Sequence, residues 1–399
     1  MDRPAAGGGA SAPRSPRFFS LTLDRRRFLI VVVGAAACAA LRPYVAHARR
    51  LAPDLPPLQP WSLPDRAPTG EVEITRALIG AAILAPSHWN TQPWRFEVDG
   101  PVIRLLADPE RALPVIDPDR RSMRIALGAA LENLLVAARA WGLRVTVTYP
   151  PPGERNGVVA EVAWSVGEAP RDRALFHAIV ERRTNRDEFD GRGLFRENRV
   201  ALSAQVPEGF RLHWIDEREP IEEIGQLAHD AVHEQVMDRP AQAERFAWTR
   251  FGDAARRRAD GISIGALALG GPAKWFAGRY LDPGSWWLGQ GAGSLGKQAR
   301  RCVRSAGALA LLTAPVRREE SRLVGGQVYE RFALKATELG IAHQPINALI
   351  EQERFRHDLM ARFDAVGEDP LMFVRLGHAD RPRETERRAA ALVASFRKA

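Results

Sequence analysis

Ala85-Pro86-Ser87-His88-Trp89-Asn90-Thr91-Gln92-Pro93-Trp94-Arg95-Phe96-Glu97-Val98 joins a helix to a strand, and the rest of the chain is read outward from it. Upstream, Val72, Ile74, Ala77, Leu78, Ala81, Ala82 and Leu84 recur at helical spacing and stop at Pro86. The helix therefore delivers Pro86 to Asn90 to a turn at its end. Downstream of Pro93 the alternation suits a strand, and Val102 to Leu106 is its hairpin partner across Asp99-Gly100. A second helix spans Met123 to Trp141 and is closed by Gly142, followed by strands Val145–Thr148 and Val158–Trp164. Helix, turn, hairpin, helix and strand predict an α+β fold with a largely antiparallel sheet.

After Pro170 a similar order begins again. Phe176, Ile179 and Val180 share one face of a short helix that runs into Arg182-Arg183-Thr184-Asn185-Arg186. Gly326 to Leu339 reads as a long helix closed by Gly340, and Leu371–Leu376 as a strand. The two long helices end alike, in Ala-Ala-Arg-Ala-Trp-Gly-Leu at 137–143 and Lys-Ala-Thr-Glu-Leu-Gly-Ile at 335–341, so a whole domain is repeated. The expected organisation is a first half at 71–170 and a second at 171–399. The second half carries an insertion at about 240–300, whose Trp248, Trp275, Trp286 and Trp287 read as a cover over a site or as packed core aromatics.

The start of the chain reads as an address. Arg25-Arg26-Arg27-Phe28-Leu29, an apolar run from Phe28 to Leu41 and then Ala46-His47-Ala48 follow the order of a cleavable export signal over residues 1–48. A run of 14 residues falls short of the roughly 20 that a membrane-spanning helix needs. Paired arginines before Phe-Leu resemble a twin-arginine signal, which implies the twin-arginine export machinery as a partner, a periplasmic or other extracytoplasmic location, and a cofactor bound before export. Residues 49–70, with six prolines, read as an extended linker.

Charge and cysteine content exclude several classes. The formal charge is +9, but residues 1–48 hold seven Arg and two acidic residues, leaving 50 basic and 46 acidic groups in the body. Scattered arginines in a near-balanced body give no nucleic-acid footprint. With the leader removed Cys302 stands alone, so an intramolecular disulfide and a thiolate-rich zinc site are both excluded; it reads as a buried, inert thiol. His229 and His233 lie one helical turn apart, a spacing metals use, yet no third ligand is evident and a solvated face is the expectation.

Residues 85–94 closely match the pattern Pro-Ser-x-x-Asn-x-Gln-Pro-Trp of the nitroreductase superfamily, and Arg182-Arg183-Thr184-Asn185-Arg186 matches its phosphate motif Arg-x-Ser/Thr-x-Arg/Lys. The likeness covers about 70–399. Ordinary members carry both motifs in one domain, and two subunits share each flavin. Here the first half has the turn but only Glu73-Ile74-Thr75-Arg76 in place of the phosphate motif, while the second half has the motif without the turn. With the leader, this split resembles the Acg-like branch, in which one polypeptide imitates the dimer.

The resemblance implies a nitroreductase-like fold, two related halves forming a pseudo-dimer with one FMN site, and a monomer sufficient for binding. It places Arg182, Arg183 and Thr184 at the FMN phosphate, where planar guanidinium forks meet a dianion. A second clamp is expected from Arg387 or Arg388. Arg186 would reach the flavin's pyrimidine edge, where a cation raises the reduction potential. Pro86, Ser87 and Asn90 would approach from across the pseudo-interface, and Pro345-Ile346-Asn347 would lie against N5, with Asn347-Ala348 where the family often has an acidic residue and Gly. No side chain is expected to be catalytic in its own right and no metal is expected. The implied function is FMN-dependent electron transfer to a small acceptor such as a nitro-aromatic or quinone. The alternative is an FMN storage or sequestration protein, because soluble nicotinamide donors are not expected outside the cytoplasm.

Overall fold

The helix expected before Pro86 forms as α1 (Glu71–Ala82), with Glu71 and Glu73 in its first turn, where the helix dipole favours acidic groups. It buries Ile74, Leu78, Ile79, Ala81 and Ala82. After the turn, β1 (Trp94–Asp99) alternates strictly between buried and exposed positions and folds back as β2 (Val102–Ala107). Gly100, at φ +57, takes the left-handed conformation of that two-residue turn. α2 (Arg121–Ala140) is buried nearly all round, as a central helix must be, and β3 (Leu143–Thr148) and β4 (Val158–Val166) complete the first set.

The second set contains α3 (Arg173–Glu181), α4 (Arg196–Ser203), β5 (Arg211–Ile215), α5 (Arg218–Met237) and α6 (Arg239–Ala247). A two-residue parallel pair comes next, β6 (Thr249–Arg250) with β7 (Ile262–Ser263), and then α7 (Trp287–Arg304) and β8 (Ala308–Ala314). α8 (Glu319–Glu338), β9 (Ala342–Pro345), α9 (Ala348–Glu351), α10 (Glu353–Arg362), β10 (Asp369–Gly377) and β11 (Ala394–Phe396) end the chain. This computed structural model describes residues 60–149, 157–167, 169–250, 258–263, 287–315 and 319–397. The leader, Trp275, Trp286 and the side chain of Trp287 lie outside the described residues.

The fold is α+β. The sheets run β11-β1-β2-β4-β3 and β5-β8-β10-β9. Apart from β11 they share one order, and every shared pair is antiparallel. Besides α9 and α10, which lie between β9 and β10, the main difference in connection is the step from β1 to β2, a tight turn. Its counterpart from β5 to β8 is residues 216–307, which hold α5, α6 and α7. β11 leaves the second set and pairs in parallel with β1, so the tail after β10 crosses to the first sheet.

α2 and α8 are the equivalent helices, with Gly128 and Gly326, Glu132 and Glu330, and Gly142 and Gly340 at the same spacing in sequence. They cross at the glycines. A Cβ on Gly128 would stand 1.9 Å from the Leu323 carbonyl oxygen, and one on Gly326 2.2 Å from that of Ile125. α8 begins at Glu319 rather than at Gly326: the glycine that reads as a helix start is the crossing point. The crossing also mixes the cores, since Leu323 and Leu334 of α8 pack with the first sheet's apolar residues while Ile125 of α2 packs with those of the second.

Within the expected linker, residues 60–70 form neither helix nor strand but are anchored. Trp141 Nε1 donates to the Pro64 carbonyl at 3.1 Å, and Trp61 Nε1 to that of Thr385 at 2.9 Å.

Candidate functional site

The turn after α1 is strained. Trp89, Asn90 and Gln92 all have φ near +50, a region that costs a non-glycine residue about 1–3 kcal/mol and persists only when its surroundings enforce it. The enforcement is visible. The Gln92 amide donates to Ser87 Oγ at 2.9 Å, and Asn90 Nδ2 donates to the carbonyls of Gly261 and Glu386, both at 3.0 Å. Gln92 Nε2 donates to the Ala259 carbonyl at 2.8 Å, while its Oε1 accepts from the Arg388 backbone amide at 2.9 Å. Ser87 and Asn90, expected to face a ligand, are thus engaged by the protein itself. The turn is held between the 259–261 segment and the tail that leads to β11.

That tail carries Arg387 back to the end of α1. Arg387 donates to Asn90 Oδ1 at 2.9 Å and to Thr385 Oγ1 at 2.7 Å. It also shares the Leu84 carbonyl oxygen with Arg182, each guanidinium 3.4 Å away. Arg182 sits where α3 ends and lies 3.4 Å from Glu330 of α8, both side chains being essentially inaccessible to water. Arg183 turns toward Glu384, at 2.9 Å, and stacks on Trp61, its guanidinium carbon 3.9 Å from the ring centre; Arg387 lies 5.0 Å from the same ring.

The electrostatics are lopsided. Burial, with Arg182, Arg183 and Arg186 adding to it, drives the Arg387 guanidinium well below its usual range. Burial and Arg182 also lower Arg186, and burial with Arg381 brings Arg183 to about 10. Burial raises Glu330 to about 7 even though Arg182 and Arg387 pull it down. Among the described residues, Arg182 Nε and Nη1, Arg183 Nε, Arg387 Nε and both carboxylate oxygens of Glu330 have no hydrogen-bond partner of normal geometry. Buried groups of this kind are nearly always satisfied, so the converging, unsatisfied guanidinium groups of Arg182 and Arg387 form a candidate anion cradle.

The remaining expected residues divide. Thr184 forms a parallel bridge with His343, and the Asn185 amide donates to the His343 carbonyl at 3.1 Å, which lays the arginine motif beside β9 and the Pro345-Ile346-Asn347 segment. Asn347 Oδ1 is a buried acceptor with no partner. Burial, with Arg182 second, pushes His343 down to about 3, so it is a neutral ring. Arg388 does not join the cradle: it donates to the Trp94 carbonyl at 3.2 Å and to that of Gln92, bracing β1. Of the two candidate second clamps, only Arg387 reaches Arg182.

Three residues of the site had weaker signals in the sequence. Glu330 was findable from the repeat, since α2 and α8 share Gly-x-x-x-Glu at 128–132 and 326–330. Arg375 is the lone charge in the apolar run Leu371–Leu376; it is fully buried and donates to the carbonyls of Cys302 at 3.0 Å, Asn185 at 3.2 Å and Asp187 at 2.6 Å, fixing the end of the arginine motif. Trp61 lies in a proline-rich stretch with no periodicity. Cys302 is buried, and burial raises its thiol pKa, so it is unreactive. His229 and His233 stack at 6.1 Å, and no cluster of three metal-ligating side chains occurs among the described residues.

No protein-family model matches the chain. It is 27% identical over 311 residues, 77% of its own length and 86% of the relative's, to Rv3131 of Mycobacterium tuberculosis, provisionally named an NAD(P)H nitroreductase. It is 32% identical over 132 residues, 32% of its length and 38% of the relative's, to the M. tuberculosis protein acg, which is provisionally named in the same way. The chain is a sequence relative of proteins named as nitroreductases. Among solved structures, a Bacteroides fragilis nitroreductase with bound FMN overlaps 53% of this chain and 91% of its own at 14% identity and a TM-score of 0.32. The FMN-dependent nitroreductase NfnB of Mycobacterium smegmatis overlaps 53% and 94% at 19% identity and 0.30.

Proposed function

We propose that this chain is an Acg-like member of the nitroreductase superfamily that holds one FMN between its two halves and acts as an oxidoreductase toward a small acceptor such as a nitro-aromatic or quinone. The observation that carries this reading is the anion cradle. Arg182 and Arg387 arrive from different parts of the chain at one buried point beside the strained turn, with unsatisfied guanidinium nitrogens that a phosphate monoester dianion would satisfy. The names of the relatives support the same reading.

Arg182 and Arg387 would grip the phosphate, Thr184 would add its hydroxyl, and Arg183, stacked on Trp61, would close the outer side. Arg186 would lie toward the pyrimidine edge, and the Pro345-Ile346-Asn347 segment would offer the unpartnered Asn347 Oδ1. Pro86, Ser87 and Asn90 would shape the opposite wall, with Asn90 holding Arg387 in place as its main duty. Bound FMN would supply the electron-transfer chemistry, with the protein supplying position and field. The leader adds twin-arginine export to an extracytoplasmic location, with one chain sufficient for binding.

The test is an absorbance spectrum of the protein lacking residues 1–48, then anaerobic titration with NADPH and lastly with dithionite. About one flavin per chain that bleaches with NADPH is the expected outcome for a reductase. Bleaching with dithionite alone would favour the storage reading or another electron donor, and no flavin after reconstitution with FMN would overturn the proposal. Arg182→Lys, which keeps the charge but loses the fork, is expected to weaken FMN binding about 10–100-fold.

A further inference from the structure

Glu330 has no role in the site so far, and its position is unusual. It is fully buried on α8, 3.4 Å from Arg182 Nε; neither of its oxygens makes a hydrogen bond of normal geometry, and Asn133 of α2 offers it only a weak, poorly aligned one. An ionised carboxylate without hydrogen bonds in a dry interior is unstable unless cations compensate it closely. The groups around it are Glu132 and Asn133 from α2, Arg182 at the end of α3, Arg387 from the C-terminal tail, and Tyr329, its neighbour on α8. Arg183 and Arg186 face Arg387 from the same cluster, and His343 of β9 stands beside Arg182. The carboxylate is therefore the buried counter-charge of the arginines that are proposed to grip the phosphate.

From this geometry we infer that Glu330 is a proton-linked stand-in for the ligand's anion, ionised while the cradle lacks an anion and protonated when a phosphate monoester takes over the arginines. The inference rests on the FMN reading above. Two anions sharing the same guanidinium groups repel each other, and a carboxyl group at a site shared with a second negative charge takes up a proton. Burial already holds this carboxyl near neutrality, at about 7, so the step falls in an accessible range. Binding of the phosphate dianion would take up one proton from solvent, and release would return it. Glu330 is thus a positioning residue: it keeps Arg182 and Arg387 converged in the free protein and yields when the ligand arrives.

The test is fluorescence titration of the protein lacking residues 1–48 with FMN and, separately, with riboflavin between pH 7 and 8.5. There the ligand phosphate, with its second pKa near 6, stays dianionic. Wild-type affinity for FMN is expected to weaken as pH rises, by up to about tenfold per pH unit, the limit for one linked proton. Riboflavin affinity is expected to stay flat, as is FMN affinity in Glu330→Gln. Calorimetry of the wild type at pH 8, in buffers of different ionisation enthalpy, is expected to show about one proton taken up per FMN, a readout that needs no variant. Equal FMN profiles in wild type and Glu330→Gln, or no proton uptake, would overturn the inference while leaving the FMN site intact. Failure of the wild type to bind either flavin at any pH would overturn the FMN reading instead.

Discussion

Glu132 and Glu330 occupy matching positions on the two central helices, one turn beyond the glycines at which α2 and α8 cross. Glu132 has its cations in place: Arg139 at 2.7 Å and Arg331 at 3.1 Å, both of which also hold Asp172. Burial tends to raise Asp172, and Arg331 and Arg139 outweigh it, so its pKa falls. Glu330 faces a surplus of arginine instead, at a loose distance and with neither oxygen in a hydrogen bond of normal geometry. One end of the helix pair is a finished ion network, closed by protein groups alone. The other leaves guanidinium nitrogens and both carboxylate oxygens unsatisfied, which is the observation behind the proposed phosphate site.

Forcing the two helices apart would undo this contrast at its root. Gly326→Ala places a methyl group against the Ile125 carbonyl, and the resulting overpacking is expected to lower stability by roughly 3 kcal/mol or more, read from denaturant midpoints. A loss of only a few tenths would show that the helices slide apart freely and that the two ends are not mechanically linked.

A smaller and more telling effect separates the two carboxylates. Glu132→Gln removes the charge that Arg139 and Arg331 share, and with Asp172 still present it is expected to cost about 2 kcal/mol at neutral pH. Glu330→Gln in the flavin-free protein is expected to do the reverse. The folded-state pKa of Glu330 is raised from 4.5 to about 7, so the wild type has its full relative stability below 4.5 and loses it as pH rises to about 7. The Gln variant has no such limb. It should match the wild type at pH 4 and exceed it at pH 8 by on the order of 2 kcal/mol. Parallel pH profiles would sink the contrast.

The smallest expected effect is at the rim. Trp61→Ala removes the ring that stacks on Arg183 and lies near Arg387, and about 1 kcal/mol of FMN affinity, several-fold in Kd, is expected to go with it. An unchanged Kd would place the ligand away from this face.

The local elements were legible because they arise from local physics. Apolar spacing gave α1 and α2, Pro86 and Gly142 marked their ends, and Asp99-Gly100 marked the hairpin; the structure has all of them within a few residues. The arginine motif and the strained turn were legible as candidates, because Arg, Asn and Pro at close spacing limit the chemistry available. Which of Arg387 and Arg388 would stand beside Arg182 was not legible. Adjacent residues in an irregular tail differ only in where the backbone sends them, and pairing of β11 with β1 decides that by fixing the tail's path. Gly326 reads as a helix start, although it lies inside α8, because close helix crossing leaves no local trace beyond the missing side chain. The α+β class and the residue types of a candidate anion site could thus be read from local sequence alone. Only the tertiary structure decided that Glu330 stands under the arginines and that Ser87 and Asn90 serve the turn, because charge balance and hydrogen-bond satisfaction depend on groups brought together from segments hundreds of residues apart.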